Sequence, residues 1–139
     1  MLGLASNRLW NSARGNARCF SSSITRIRTD DPRMSKAVVH NGTVYLSGLI
    51  DPTGTDVTSQ AKNILKEIDD LLALAGTSKS NLVSASIWLK DIDRDFKALN
   101  EVWIQWLDPE NKPVRATVQS PMALPNLLVE IQVTAALSK

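Results

Sequence analysis

Residues 113–119 (PVRATVQ) and 127–135 (LLVEIQVTA) have the clearest strand patterns in the chain. Side chains alternate between the two faces of a strand, so each run has one apolar and one mixed face. Arg115 lies on the mixed face of the first run, and Glu130 on the mixed face of the second. Ser-Pro and Pro-Asn pairs, which are typical of turns, bracket the connection. The pattern therefore predicts a hairpin in which Arg115 lies opposite Glu130.

This pair of charges has two interpretations. An ion pair across two strands on a solvated face stabilises a protein by only about 0.5 kcal/mol. Alternatively, an arginine whose fork can grip a carboxylate, beside a glutamate able to hold a water, is a reactive pair. Leu128, Thr117 and Thr134 on the same face are less polar than a fully solvated surface would be. The pattern by itself leaves both interpretations open.

The rest of the chain supplies the other elements of one domain. Asn41-Gly42 is the strongest short hairpin signal, and Gly76 is the expected end of a helix. Apolar residues at helical spacing predict two helices. The predicted elements are strands at 35–39 and 43–47, a helix from 56 or 58 to 75, a strand at 82–90, a helix around 96–107, and the two C-terminal strands.

This order predicts an α+β fold, with two helices on one face of a mostly antiparallel or mixed sheet. The length suits a single domain, which we place at residues 30–139. The other face of the sheet has no cover from its own chain and is predicted to be buried against other subunits. The residues assigned to that face are Trp88, Arg115, Thr117, Glu130 and Gln132.

The N-terminal segment has a different composition from the rest. Residues 1–29 contain five arginines and many serines, and no acidic residue occurs before Asp30. This composition is typical of an organelle transit peptide. We place that peptide at residues 1–20, with 29 as its outer limit, because Arg18 precedes a suitable cleavage point after Phe20. The predicted location is the mitochondrial matrix, and the alternatives are a plastid or a basic tail with no address.

Charge and composition argue against several classes of function. The chain has 16 Lys and Arg against 14 Asp and Glu, and loss of residues 1–20 leaves 13 against 14. No basic stripe with interleaved aromatics occurs in the body, so no nucleic-acid partner is predicted. No apolar run approaches the ~20 residues that span a bilayer, so no membrane partner is predicted.

Metal and nucleophile chemistry have few candidate residues. Cys19 and His40 are the only cysteine and the only histidine. A zinc site or a serine–histidine triad is therefore not expected. Asp91, Asp93 and Asp95 alternate like the start of a calcium loop, but the glycine and closing glutamate of such a loop are missing. Helix capping is the better explanation of these aspartates.

Three segments together resemble a known family. They are residues 39–48 (VHNGTVYLSG), 113–119 (PVRATVQ) and 129–131 (VEI). They are similar to the reactive intermediate deaminase family, also called Rid, YjgF-like or endoribonuclease L-PSP. The resemblance covers about residues 33–137. The amino acids at residues 33–35 and 113–119 resemble a YoaB-like branch more than RidA itself.

The resemblance implies a fold and a function. The family fold is chorismate-mutase-like, and its members are homotrimers with a central β-barrel and clefts between subunits. RidA members hydrolyse reactive enamines and imines of the 2-aminoacrylate type to 2-oxo acids and ammonia, without a cofactor. The implied ligand is thus a small 2-imino or 2-oxo acid. A non-catalytic trimer that binds small carboxylates or keto acids is the alternative function.

The resemblance also implies roles for individual residues. Arg115 matches the arginine that binds the substrate carboxylate, and Glu130 the glutamate that positions the attacking water. Ser47 and Gly48 match the strand end that lines the cleft, and Thr117 replaces a cysteine common in RidA proteins. Leu49 stands where a glutamine is frequent, and Met34 falls near a pocket-closing tyrosine. Ribonuclease activity, also attributed to this family, fits poorly with the near-neutral charge and single histidine.

Overall fold

The computed structural model describes residues 23–138. Within them the strands are β1 (Thr25–Ile27), β2 (Ala37–His40), β3 (Thr43–Leu46), β4 (Leu82–Leu89), β5 (Val114–Gln119) and β6 (Val129–Ala136), and the helices are α1 (Val57–Leu74) and α2 (Ile92–Trp106). One sheet has the order β1-β2-β3-β6-β4-β5. Only β4 and β5 pair in parallel, and the other neighbours are antiparallel. The prediction of an α+β fold with a mixed sheet is confirmed.

Local sequence signals explain the element boundaries. Asn41 and Gly42 have φ angles of 48° and 76°, as a tight hairpin turn requires. The side chain of Asp56 accepts a hydrogen bond from the backbone of Ser59 and caps α1. Gly76, with φ of 82°, follows the end of this helix. Asp91 caps α2 by accepting a hydrogen bond from the Arg94 backbone N–H, as the capping interpretation predicted.

The core lies between one face of the sheet and the two helices. β6 is flanked by β3 and β4, and its alternate residues are completely buried. Their partners on the helices are mostly branched apolar residues at helical spacing. The buried side chains are Val129, Ile131, Val133 and Ala135 of β6, Ala85, Ile87 and Leu89 of β4, Ile64, Leu65, Ile68, Leu71 and Leu72 of α1, and Leu99, Val102 and Trp103 of α2. Both helices therefore cover the same face of the sheet.

The predicted hairpin between the last two strands is wrong. β4 lies between β5 and β6, so the chain crosses over the end of β4 instead of turning back on itself. Residues 120–128 make this crossing, and the buried Gln60 side chain holds them by donating to Asn126 O and accepting from Leu128 N. Turn residues at both ends of a nine-residue connection fit a crossover as well as a hairpin, because they define where strands end and not which strands pair.

Two of the residues assigned to the uncovered face, Arg115 and Thr117, do not lie on it. Arg115 and Thr117 pair in register with Ala85 and Ile87, which face the helices. Paired residues point to the same side of a sheet, so Arg115 and Thr117 lie on the helix-covered face. The uncovered face instead carries Val114, Ala116 and Val118 of β5, in rows with Ser84, Ser86 and Trp88 of β4 and with Thr134, Gln132 and Glu130 of β6.

Two further features concern the ends and the surface of the fold. β1 was not predicted, yet it pairs with β2 and places residues 25–27 in the sheet, ahead of residue 30. In the described part of the chain, neither helix is both long and apolar enough to cross a membrane.

Candidate functional site

Arg115 is held in place by α2. Its Nη2 atom donates a hydrogen bond of 2.9 Å to Asn100 Oδ1. Its guanidinium carbon lies 5.5 Å from the ring centroid of Trp103, which is a cation–π distance. Burial lowers the pKa of Arg115 from its usual value, although an arginine stays charged at neutral pH. Its remaining N–H groups donate to no other residue among 23–138. The fork is therefore oriented and still available for a carboxylate.

A hollow of about 450 Å³ opens beside Arg115. It lies between the second half of α2 and the segment that leads into β5. Most of its lining is apolar, with two cations and one amide. The lining residues are Asn100, Trp103, Ile104, Leu107, Pro109, Lys112, Pro113 and Arg115. We call this space the Arg115 hollow.

Thr117 lies next to Arg115 on the same face of β5. Its Oγ1 atom is buried and makes no hydrogen bond with the described part of the chain. A buried hydroxyl without a partner costs free energy, so such atoms are uncommon outside sites that receive a ligand, a water or another chain. Thr117 therefore places a hydroxyl that has no hydrogen-bond partner within residues 23–138 on the side of the sheet that carries Arg115.

Glu130 projects from the opposite face of the sheet. It pairs in register with Trp88, and no residue among 23–138 donates a hydrogen bond or forms an ion pair to its carboxylate. Gly48 packs directly against it: a Cβ placed on Gly48 would lie 3.0 Å from Glu130 Cδ and would overlap Oε1. An unpartnered carboxylate beside a glycine backbone has both the acceptor and the space to hold a water.

The Glu130 carboxylate borders a second cavity, of about 430 Å³, which we call the Glu130 cleft. Its lining is mixed, and consists of Asp31, Arg33, Met34, Lys36, Gly48, Ile50, Ala123 and Glu130. Asp31 accepts two side-chain hydrogen bonds from Arg33, and these hold the pKa of Asp31 at about 2. Lys36 pairs with Glu67 at 3.4 Å. Both cations at this cleft thus have an acidic partner already.

Ser47, Met34 and Leu49 were also singled out from the sequence, and they differ in whether a ligand in this cleft could contact them. The Ser47 hydroxyl donates a 2.6 Å hydrogen bond to Ser35 O, so it fixes the strand end next to Gly48. Met34 lines the cleft and is partly exposed. Leu49 is completely buried and bridges Ile131 in the core. Leu49 therefore belongs to the core, whereas Met34 belongs to the lining of the cleft.

Arg115 and Glu130 do not meet within one chain. Their partners on β4 are Ala85 and Trp88, three residues apart and on opposite faces. Strand geometry puts the two positions about 10 Å apart along the strands and about 10 Å apart across them. A small acid bound to Arg115 therefore cannot reach the Glu130 carboxylate of the same chain.

Asn100 and Trp103 were not recognised from the sequence as neighbours of Arg115. Both lie on α2, where the spacing from Asn100 to Trp103 is one helical turn and only indicates a shared face. Their contact with β5 depends on the parallel pairing of β4 and β5, which the sequence did not reveal. No group of three or more metal-binding side chains occurs within residues 23–138.

The comparisons with known proteins agree on one family. A family model described as endoribonuclease L-PSP matches residues 28–137. The RutC family protein YoaB of Escherichia coli is 38% identical over 114 residues, which cover 81% of this chain and 99% of YoaB. A YjgF-family structure from Neisseria meningitidis, NMB1025, superposes with a TM-score of 0.82 at 35% identity, covering 85% of this chain and 98% of that one.

One relative carries a functional name. Reactive Intermediate Deaminase A of Arabidopsis thaliana, described as chloroplastic, is 34% identical over 110 residues. The match covers 74% of this chain and 58% of the plant protein. The greater similarity to YoaB confirms the resemblance to a YoaB-like branch.

The predicted organelle address is wrong. YoaB and the similar proteins from Haemophilus ducreyi and Haemophilus influenzae are bacterial, and bacteria have no mitochondrion or plastid. An arginine- and serine-rich composition is a weak signal, because a basic segment without an address has the same composition. The proposed cleavage point after Phe20 and the segment 1–20 lie outside the described residues.

Proposed function

The chain belongs to the endoribonuclease L-PSP family, also known as Rid or YjgF, and from this membership we propose that it hydrolyses reactive enamine and imine intermediates. The substrates are 2-imino acids of the 2-aminoacrylate type, and the products are the corresponding 2-oxo acids and ammonia. The free fork of Arg115, oriented by Asn100 and Trp103, is the observation that carries this proposal.

The proposed reaction needs a carboxylate receptor, a water and a group that takes a proton. Arg115 binds the carboxylate of the 2-imino acid through two parallel hydrogen bonds. Glu130 holds a water and takes one of its protons as the oxygen attacks the imine carbon. Glu130 returns this proton to the imine nitrogen, which gives a neutral carbinolamine. The hydroxyl proton then passes through Glu130 to the nitrogen as the carbon–nitrogen bond breaks, so that ammonia leaves and the carbon–oxygen double bond of the 2-oxo acid forms. An enamine enters by the same route after protonation at its β-carbon.

This mechanism requires no cofactor. The imine carbon is already electrophilic, and the positive charge of Arg115 beside it favours attack by water. Most of the remaining rate acceleration comes from holding the substrate and the water in contact with each other. Arg115, Glu130, Gly48, Ser47 and Thr117 are the residues that we assign to the site.

The proposed site lies between two subunits of a homotrimer. Arg115 and Glu130 project from opposite faces of one sheet, so a single substrate reaches both only if they belong to different chains. The uncovered sheet face supports such an assembly, since it exposes Tyr45, Val114 and Val118 by 47%, 72% and 50%. A cyclic trimer repeats one heterologous contact and would create three equivalent sites.

The proposal is tested with a coupled assay on the full chain. Threonine dehydratase generates the imine, and semicarbazide traps what is not hydrolysed. We expect the wild type to lower trapping, and Arg115→Ala and Glu130→Gln each to reduce that activity by about 100-fold or more. Lys97→Ala and Glu101→Gln are matched controls, since both side chains are exposed on α2 and form only a loose pair at 3.9 Å.

A binding measurement identifies the alternative function. If the wild type leaves trapping unchanged with several amino acid substrates, the deaminase proposal fails. If it nevertheless binds 2-oxobutyrate, and Arg115→Ala abolishes that binding, the protein is a non-catalytic receptor for small keto acids.

A further inference from the structure

The Arg115 hollow is larger than a three- or four-carbon acid requires. Its volume is about 450 Å³, whereas one water occupies about 30 Å³ in the liquid. Pockets of a few hundred Å³ are the size at which proteins enclose ligands with substantial side chains. In the single chain, a carboxylate and a methyl group beside Arg115 would occupy only part of this volume.

The lining beyond Arg115 is apolar. Trp103 and Ile104 of α2, Leu107 directly after it, and Pro109 and Pro113 in the segment before β5 supply the apolar part of the lining. Ile104 is 72% exposed, although it lies within the helix and could be polar without disturbing the core. An exposed isoleucine in line with a tryptophan and a leucine makes a continuous apolar surface next to a cation.

Hydrogen bonds fix the turn at residues 108–111, which carries Pro109. The Asp108 carboxylate accepts from Ser80 Oγ at 2.6 Å, from the Glu110 backbone N–H at 2.9 Å and from Asn111 Nδ2 at 2.9 Å. These bonds tie the turn that carries Pro109 to the segment before β4. The hollow is thus formed before any ligand binds, which lowers the entropy cost of binding.

From these features we propose that the Arg115 hollow binds the substrate side chain, and that it selects 2-imino acids with a branched aliphatic or aromatic side chain. This inference rests on the proposed function, because it takes the carboxylate at Arg115 as its starting point. The carboxylate binds the guanidinium, and the side chain lies between Trp103, Ile104, Leu107 and Pro109. The apolar surface that it buries there provides the preference over smaller acids.

The two cavities have different roles in this arrangement. The Glu130 cleft has a mixed lining, in which the charged side chains of Asp31, Arg33, Lys36 and Glu130 alternate with Met34, Ile50 and Ala123. The polar side chains that line the Arg115 hollow are Arg115, Lys112 and Asn100, and its other five lining residues are apolar. A substrate with a second carboxylate could pair it with Lys112, but it would bury little of the apolar lining. The lining therefore favours the apolar class.

The test compares 2-oxo acids, the products of the proposed reaction, as ligands of the full chain. Calorimetry gives the affinities of pyruvate, 2-oxoglutarate, 4-methyl-2-oxopentanoate and phenylpyruvate. We expect the last two to bind at least about tenfold more tightly than pyruvate. Ile104→Asn should lower the affinity for these two acids by a larger factor than the affinity for pyruvate, so that most of the preference is lost. Leu74→Asn is the control, since Leu74 is 58% exposed but lies on α1, away from the hollow.

Each of the other outcomes overturns the inference. Equal affinity for all four acids, tightest binding of 2-oxoglutarate, or an equal loss for every acid in Ile104→Asn would each contradict a side-chain pocket. If pyruvate binds as well as the larger acids and Arg115→Ala abolishes binding, only the side-chain inference fails, and the carboxylate site that the proposed function requires is retained. If no acid binds in a manner that depends on Arg115, both fail.

Discussion

Arg115 and Glu130 lie on opposite faces of one sheet, with β4 between the strands that carry them. Arg115 contacts α2, whereas Glu130 faces away from both helices. Two residues placed in this way can act on one small molecule only across a contact between chains. This relationship makes the proposed site a property of the assembly and not of a single chain.

Mixed assemblies of two inactive variants should therefore recover activity. Arg115→Ala and Glu130→Gln chains, unfolded together and refolded as a 1:1 mixture, would form trimers in which some interfaces pair an intact arginine with an intact glutamate. Random mixing gives about a quarter of the sites this composition. The coupled imine assay should show about that fraction of wild-type activity. Recovery no greater than the sum of the separately refolded variants would place both residues in one chain.

Gly48→Ala should reduce deaminase activity without a large loss of stability. The new methyl group would take the space of Glu130 Oε1 and turn the carboxylate away from its water. We expect a loss of at least about tenfold in turnover, because a misplaced base contributes little. Thermal unfolding should change little, since the far end of the Glu130 side chain can move. Gly76→Ala is the contrasting variant: its φ of 82° strains an alanine, so stability should fall while activity per folded molecule is retained.

Gln60→Ala should destabilise the fold. The Gln60 side chain is completely buried; it donates to Gly54 O and Asn126 O, and it accepts from Leu128 N. Its removal takes the side-chain partner from three backbone groups at a partly buried site, which should lower the free energy of unfolding by about 2 to 4 kcal/mol. Urea denaturation measures this change. Gln105→Ala, on the exposed side of α2, should stay within about 0.5 kcal/mol of the wild type.

Asp108 should make stability depend on pH in the acid range. Hydrogen bonds from the Ser80 and Asn111 side chains, together with the Glu110 backbone N–H, lower its pKa from 3.8 to about 2. Its stabilising contribution is therefore complete above about pH 4 and is lost as the pH falls through about 2. Asp108→Asn should lower the melting temperature at pH 7 and should weaken its decline between pH 4 and pH 2.

The protonation of the Asp108 carboxyl group can also be measured directly. An NMR titration of the Asp108 carboxyl carbon should give a midpoint near 2, and a midpoint near 4 would show that the turn does not hold the charged form. Asp31, whose pKa is also about 2 because of Arg33, remains in the Asp108→Asn variant and accounts for residual acid sensitivity.

Local signals in the sequence were sufficient for every strand and α-helix except β1, and for the family. The pair Asn41-Gly42 defined the first hairpin, Asp56 and Gly76 defined the ends of α1, and the alternation in residues 127–135 identified the face of β6 that is buried. Each of these features depends on a residue and its near neighbours, so the chain by itself determines them. The resemblance in residues 39–48 and 113–119 then identified the family correctly.

Strand pairing and the surroundings of Arg115 were decided only by the tertiary structure. Alternation shows which residues of one strand share a face, but it does not show which strand lies next to it. β4 separates β5 from β6 by pairing with both, and these pairings join segments that are about 30 and 45 residues apart in the chain. That placement moved Arg115 and Thr117 to the helix side and brought Asn100 and Trp103 to the guanidinium. The sequence by itself determined the elements other than β1, the buried face of β6 and the family, whereas non-local strand pairing decided that Arg115 and Glu130 lie on opposite faces of the sheet.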